Sequence, residues 1–440
     1  MLIDEGRSRK RPSSYPEVEM NHQLLKTIIY DRHEIIRSMD ILPRELSFED
    51  QANYVLTGLR RAGKTTQLYS WARDLVAGGA DWEQIIFINF EDERLADFQL
   101  SDFQDIVLVQ SELSAKQGYF FFDEIQNIDG WERFARRLAD SNERVYLTGS
   151  NAKMLGGDME ARLGGRYLTK RIHPYTFSEY LRALGVPFDE RALMGAKSLG
   201  RIKSAYETYF RFGGFPELLK FRDKRSYLEN IYQKIQLGDV VARNGIRNAN
   251  AMRILMKKIA ETVCNDVSYT RLQSALGAVG MKVSKEVVIS YVSYAEDAYL
   301  IFRLRNFVSK FAERESNPKY YFSDNGILNL FLTDRDPALL ENQIAVLLHQ
   351  RHGDGVYFLK SAKTGIDVDF YIPQERTAIQ VAYSLTDSSF QREIASLAAL
   401  AKAQPEVERL MVVTYEEEAC VEVAGAKIEV VPAYRFLLGH

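Results

Sequence analysis

The stretch Tyr54-Val55-Leu56-Thr57-Gly58-Leu59-Arg60-Arg61-Ala62-Gly63-Lys64-Thr65-Thr66 decides the fold. Apolar residues run into a short loop bounded by two glycines, and Lys64 opens a helical pattern. Gly58 and Gly63 let backbone N–H groups turn inward around phosphates, while Lys64 reaches for a β/γ-phosphate and Thr65 offers its hydroxyl to Mg²⁺. Arg60, Arg61, Ala62 and Thr66 complete the cradle, and the expected ligands are ATP and Mg²⁺.

Downstream, Tyr119-Phe120-Phe121-Phe122 is wholly apolar, as a strand covered on both faces must be, and it ends in Asp123-Glu124. This is a Walker B pattern, in which Asp123 holds Mg²⁺ and Glu124 orients and polarises the attacking water. A surface acidic pair is the bland alternative, and the phosphate loop upstream argues against it. Strand patterns over 54–57, 85–90, 119–122 and 145–148 alternate with helical ones, beginning with a helix over 24–39. The expected fold class is therefore α/β, with a parallel sheet between helices. The fourth strand runs into Thr148-Gly149-Ser150-Asn151, which brings a small polar group beside the acids. Ser150 or Asn151 would sense the γ-phosphate there, unless the segment is a plain turn.

Composition narrows the setting. The 440 residues are 46% hydrophobic, enough for two to four cores of ordinary domain size, and the formal net charge is −3. A chain of this balance does not coat nucleic acid indiscriminately, so any DNA contact must be local. Only Cys264 and Cys420 are present, which fits a reducing, cytoplasmic setting without a disulfide framework. No long uncharged apolar run suggests a membrane span or a signal peptide. His349 and His352 read as surface residues near a helix end, and no zinc site is expected.

Further motifs carry a resemblance. Arg162-Leu163-Gly164-Gly165-Arg166, then Pro174-Tyr175-Thr176-Phe177-Ser178-Glu179-Tyr180, and later Gly213-Gly214-Phe215-Pro216-Glu217 accompany the Walker motifs. With them the chain resembles, over nearly its whole length, the prokaryotic AAA-type ATPases (related to the AAA+ and STAND groups) that carry a C-terminal DUF4143 domain. The resemblance implies an AAA+ core, a helical lid, a winged helix and a PD-(D/E)XK nuclease-like domain. It also implies a homo-oligomeric, hexameric ring in which Arg166, or else Arg162, enters a neighbour's site as an arginine finger. A surface arginine paired locally is the competing reading. The Gly213–Glu217 string has no chemistry of its own and reads as a turn or a hinge.

The expected divisions are a basic disordered tail over 1–22, the ATPase core over 23–182, the lid over 183–248, the winged helix over 249–335 and the nuclease-like domain over 336–440. Three helical patterns, at 252–262, 269–277 and 284–294, precede strand-like runs at 299–304 and 320–322. Lys282, Lys285, Arg303, Arg305 and Lys310, with Arg314 and Lys319, are expected to gather around the third helix and a wing, where they would meet DNA phosphates. In the last portion Glu341 on a helix, Asp369 on a strand and Gln380 on the next strand resemble a nuclease triad. Gln380-Val381-Ala382 stands where active members carry Glu-x-Lys, so metal affinity and water activation should both fall. Lys360 or Lys363 could stand in for the missing lysine. The leading expectation is a Mg²⁺-dependent ATPase that moves or remodels branched or duplex DNA. The alternative is an ATP-dependent regulatory switch acting through protein partners, and an ATP-gated nuclease is the third reading.

Overall fold

The computed structural model describes residues 21–44, 46–149, 162–308, 310–333, 335–361, 363–385 and 388–439. The tail, most of residues 1–22, and the sensor candidates Ser150 and Asn151 lie outside the described residues. The phosphate-loop strand β1 (Asn53–Thr57) joins β2 (Ile85–Asn89), β3 (Tyr119–Asp123), β4 (Arg144–Thr148) and β5 (Tyr167–Arg171) in a parallel sheet of order β2-β3-β4-β1-β5. Its strands alternate between two packed faces. Phe121 and Tyr146 point toward the helix Lys64–Ala77, whereas Phe120, Phe122, Val145 and Leu147 meet the helices His22–Ser38, Phe103–Leu113 and Trp131–Asp140. Burial on both sides is why these strands read as unbroken apolar runs.

The strand order has a chemical consequence. Because β4 lies between β1 and β3, its last residue sits between the phosphate loop and the Walker acids. β5, which sequence patterning did not single out as a strand, forms the sheet edge beside β1. There Ile172 donates to the Thr57 carbonyl at 2.7 Å. A Cβ on Gly58, whose φ is +134°, would come within 2.0 Å of the Ile172 carbonyl oxygen, so glycine is required by contact as well as by conformation.

Past the motif helix Phe177–Ala183 come the long helix Ala196–Phe212, the helix Lys224–Lys234 and an eight-residue π-helical segment, Ile235–Ala242. The expected three-helix group follows as Ala249–Glu261, Tyr269–Ala278 and Lys285–Asp297, with Asn248, Ser268 and Ser284 as N-caps. The two strands expected as a wing, β6 (Ile301–Asn306) and β7 (Lys319–Phe322), do pair antiparallel. They nevertheless belong to the C-terminal sheet, because β6 also runs parallel to β8 (Tyr357–Ser361). That mixed sheet continues through β9 (Ile366–Ile372), β10 (Thr377–Val381), β11 (Arg409–Thr414), β12 (Ala419–Val423) and β13 (Ala426–Pro432), in the order β12-β13-β11-β10-β9-β8-β6-β7.

One hydrophobic cluster runs without a break from the ATPase sheet into this sheet. It includes Tyr54 and Phe121, then Phe177, Tyr206 and Phe215, then Met252, Tyr321, Leu340 and Phe370. The segments 249–335 and 336–440 therefore share both a sheet and a core with each other, and the core with the ATPase body.

Candidate active site

The helix Lys64–Ala77 starts at Gly63, whose left-handed backbone (φ +100°) aims the first-turn N–H groups into the loop. That is the geometry by which a helix N-terminus takes an anion. Lys64 is buried and donates to the Gly58 and Leu59 carbonyls at 3.1 and 3.3 Å. Burial lowers its pKa, and the charges of Glu124, Asp123 and Asp239 oppose that shift.

Asp123 ends β3 with a carboxylate 1% exposed. It accepts from the Thr65 hydroxyl at 2.9 Å and from the Thr148 hydroxyl at 2.5 Å. Burial first, and the neighbouring Glu124 charge second, push its pKa up to about 6. A carboxylate so placed gains from a cation, and the Thr65 hydroxyl with the Asp123 carboxylate is a hard-oxygen set suited to Mg²⁺. Glu124 adopts a left-handed conformation (φ 53°) that turns its side chain out of the strand line. There it accepts from the Gln126 amide, and its own N–H donates to the Thr148 hydroxyl at 2.9 Å.

Thr148 therefore touches both Walker acids, a position within the Thr148–Asn151 stretch but one residue set earlier than the expected sensors. Gln126, Arg44 and Asp239 also went unread in the sequence. Arg44 forms a two-pronged pair with Glu179 at 2.7 and 2.9 Å, and donates to the Ala62 carbonyl in the phosphate loop at 3.3 Å and to the His173 carbonyl at 2.9 Å. This gives the Pro174–Tyr180 motif its reason. Glu179 closes a capping box with Thr176 and at the same time anchors the arginine that braces the loop. Asp239, on the π-helical segment, lies 3.6 Å from Arg60, which also pairs with Glu91 at 3.2 Å. An acid on the π-helical segment thus faces the phosphate loop, and no local motif announces it.

The Gly213–Glu217 string links three bodies. Glu217 pairs with Arg61 of the phosphate loop at 3.0 Å and Pro216 lies beside Gly63. The Gly214 N–H donates to Asp324 at 2.8 Å, and its carbonyl accepts from Tyr175 at 2.7 Å. A Cβ on Gly214 would stand 2.2 Å from the Tyr175 carbonyl oxygen. Asp324 in turn caps Asn325–Asn329 through the Gly326 N–H at 2.8 Å, and Asn342 joins Asn325 to the Phe322 backbone. A line of polar contacts thus runs from the phosphate loop to the edge strand β7 of the C-terminal sheet.

Several expected surface residues sit elsewhere. Arg162 pairs with Glu132 at 3.0 Å and Arg166 with Asp140, both on the helix Trp131–Asp140. Lys282, Lys285 and Lys310 are exposed. Arg303 is paired with Glu296 and Arg305 with Glu315, each at 2.8 Å, so these two are not free cations of a wing. Lys319 is buried rather than part of a basic surface. His349 is likewise buried, against Phe302 and Arg171, because the helix Asp336–His352 faces protein on nearly all sides. His352 lies 3.7 Å from Glu375.

The nuclease-like residues do converge. Lys319 spans the Glu341 and Asp369 carboxylates at 3.3 and 2.9 Å, and the Gln380 amide oxygen accepts from the Asp369 N–H at 2.6 Å. Lys319, Glu341 and Asp369 line a cavity of about 900 Å³ that also exposes Asp367, Arg392 and Glu393. The cation that enters comes from β7. Lys360 is paired with Asp266 instead, and Lys363 is exposed.

Residues 50–181 match the family model described as AAA domain, so the Walker site stands on an AAA-type domain. Residues 203–338 match a Domain of unknown function (DUF8612), a different model from the DUF4143 that the motifs suggested. The chain is 28% identical to an uncharacterized protein of Methanocaldococcus jannaschii over 95% of its own length and 96% of the relative's. It is 27% identical to an uncharacterized protein of Haemophilus influenzae over 77% and 84%. Among solved structures, the Aeropyrum pernix Orc1 protein in complex with DNA overlays with a TM-score of 0.28 at 16% identity, covering 77% of this chain and 95% of that one. AMPPCP-bound DnaA from Aquifex aeolicus overlays with a TM-score of 0.24 at 14% identity, covering 63% and 89%. No helix of the described residues is long and apolar enough to cross a membrane.

Proposed function

We propose that the chain is a Mg²⁺-dependent ATPase whose turnover drives a rearrangement of the C-terminal body, and that this body engages DNA. The observation that carries the reading is the buried Thr65–Asp123–Thr148 cluster with Glu124 attached to it through Thr148. Thr65 and Asp123 would hold Mg²⁺, which would supply neutralisation of charge on the phosphates. The Gly63 and Lys64 backbone and the Lys64 ammonium bind and orient the triphosphate. Glu124 is the base that positions and polarises water, held by the Gln126 amide, and Thr148 keeps the two acids in register. Release of the γ-phosphate alters what Lys64, Arg60 and Arg61 hold. Asp239 and Glu217, their partners on the lid and the Gly-Gly-Phe-Pro-Glu string, pass that change to Asp324.

DNA as the target is supported by the exposed Lys282 and Lys285 at the start of the helix Lys285–Asp297, third of its group, where a reading helix enters a groove. On this reading the chain works as a ring that remodels branched or duplex DNA, with Arg166 or Arg162 exchanging its local partner for a neighbour's phosphate. The Arg166–Asp140 pair reaches solvent on both sides and is weak enough to be exchanged, whereas Glu132, the partner of Arg162, is largely covered. A second reading, a switch that acts on a protein partner, is favoured by the pairing of Arg303 with Glu296 and Arg305 with Glu315, which leaves β6 little free positive charge. Nuclease action is not proposed, because the Lys319 ammonium occupies the space between the acids.

Steady-state ATP hydrolysis with Mg²⁺, in the absence and presence of single-stranded, duplex and four-way DNA and with Glu124→Gln as blank, tests the reading. Hydrolysis stimulated by one DNA form is the expected result. Turnover indifferent to DNA transfers the function to the protein switch, and no turnover above the blank refutes the ATPase.

A further inference from the structure

Beyond the Walker site, the edge strand β5 lines, with Lys170 and Arg171 among others, a cavity of about 520 Å³ between the ATPase body and the helix Asp336–His352. Arg44, Glu179 and Arg351 line the same space. Of these five charges only one is negative, and Arg44 takes both oxygens of Glu179.

Arg171 and Lys170 are held by neutral groups. Arg171 donates to His349 Nε2 at 2.8 Å, and its guanidinium lies 4.7 Å from the centre of the Tyr299 ring. His349 Nδ1 lies 3.1 Å from the Gly353 carbonyl and must donate to it, so Nε2 is the unprotonated nitrogen that accepts from Arg171. Burial, and then the Arg171 charge, hold the imidazole neutral with a pKa down at about 4. The Lys170 ammonium stands over the Phe48 and Tyr54 rings at 5.0 and 5.5 Å. Asp354 and Glu375 act on Arg171 and Arg351 from longer range, and Glu375 faces His352 at 3.7 Å. Among the described residues no carboxylate forms an ion pair with Lys170, Arg171 or Arg351.

Setting Lys170 and Arg171 against π-faces and an imidazole, rather than against acids, leaves their charge without a paired carboxylate in a partly dry space, and Arg351 adds a third cation at the solvent side. Guanidinium and ammonium groups so arranged suit a phosphate. The remaining wall mixes the apolar Leu46, Leu347 and Leu437 with polar residues such as Thr176, Ser178 and Gln350, and the volume lies in the range of small-molecule sites. We infer that this cavity is a second ligand site, for a small phosphorylated organic molecule whose phosphate is held by Lys170 and Arg351. Arg44 connects it to the nucleotide site, since the same guanidinium that lines the cavity also holds the Ala62 carbonyl of the phosphate loop.

Calorimetric titration of the full chain with inorganic pyrophosphate, for the parent and for Lys64→Ala, Lys170→Met and Arg351→Met, tests the inference. The parent should show two saturable sites. Lys64→Ala should remove one, and Lys170→Met and Arg351→Met should each weaken the other by about tenfold or more, as loss of a charge-assisted contact does. Both side chains reach solvent, so either folded variant suffices. A parallel titration with short duplex DNA separates the sources of phosphate. The inference is overturned if Lys64→Ala abolishes all pyrophosphate binding, if both methionine variants bind as the parent does, or if they lose DNA while keeping pyrophosphate. Absence of only the site that needs Lys64 counts against the nucleotide reading and leaves this one standing.

Discussion

Replacing Lys319 by methionine keeps the length of the side chain and removes its charge. In the native cavity the ammonium lies 3.3 Å from Glu341 and 2.9 Å from Asp369. Burial by itself would lower the Lys319 pKa, but the two carboxylates outweigh it and hold the ammonium charged far above its usual range. At an effective dielectric of about 20, unit charges at these distances attract by about 5 to 6 kcal/mol each. Desolvation offsets much of that, so the pair of contacts is a modest net stabiliser while intact. Its loss is another matter, because two carboxylates then face each other in a buried space, with Glu341 only 7% exposed. Removing one partner of such a cluster costs about 3–5 kcal/mol.

Urea unfolding of Lys319→Met at neutral pH should show that loss. Adding Glu341→Gln should restore about 2 kcal/mol of it, since relieving one carboxylate removes the repulsion. The destabilisation should also shrink on acidification, because burial and the Asp369 charge already raise the Glu341 pKa and loss of Lys319 raises it further. A Lys319→Met protein as stable as its parent, with no recovery on adding Glu341→Gln, would refute the view that Lys319 serves as the fixed cation of this cavity.

Other consequences are equally open to measurement. Glu124→Gln should keep ATP binding and lower kcat between about a hundredfold and ten-thousandfold, the range for loss of a positioned base; unchanged turnover would remove Glu124 from the mechanism. Thr148→Val deletes the donor to Asp123 and strands the buried Glu124 N–H, at a cost of about 1–3 kcal/mol. Its effect should fall on kcat more than on ATP affinity in steady-state kinetics. Gly214→Ala forces a methyl group onto the Tyr175 carbonyl oxygen and should cost about 3 kcal/mol in thermal or urea unfolding.

Asp324 offers a test through pH. Its folded pKa is raised by burial from 3.8 to about 6, so the folded state binds the proton more tightly than the unfolded one. The stability this group contributes is present below about pH 3.8 and is lost as pH rises through 6. Parent stability minus that of Asp324→Asn should therefore fall by about 3 kcal/mol between those limits. A difference independent of pH would show that the carboxyl is not titrating in the buried site.

What the sequence made legible was what local chemistry dictates. The phosphate loop and the Phe120–Phe122 strand are written in consecutive residues, and double burial forces the apolar run. Residues whose roles depend on distant partners were silent. Arg44 and Glu179 are far apart in the chain, yet they form one brace, and Asp239 becomes an active-site acid only because a π-helical segment turns it toward Arg60. Lys319 shows the opposite error. A lysine flanked by Asn317, Pro318 and aromatic residues resembles a surface cation of a wing, but β6 joins β8 and draws β7 into the sheet that carries Asp369. His349 misled for the same reason, since helix ends are exposed by default and this one is covered by β5 and β6. The Gly213-Gly214 pair was visible as a break; only the Asp324 carboxylate and the Tyr175 carbonyl explain why no side chain fits there.

The most direct test of the coupled ATPase is amide hydrogen exchange at Gly214 and Gly326, whose N–H groups are held by Asp324, in Glu124→Gln protein with and without ATP and Mg²⁺. Coupling predicts that nucleotide changes protection at both amides and that Lys64→Ala abolishes the change. Protection gained only at the start of the helix Lys64–Ala77, with Gly214 and Gly326 exchanging as before, would contradict it.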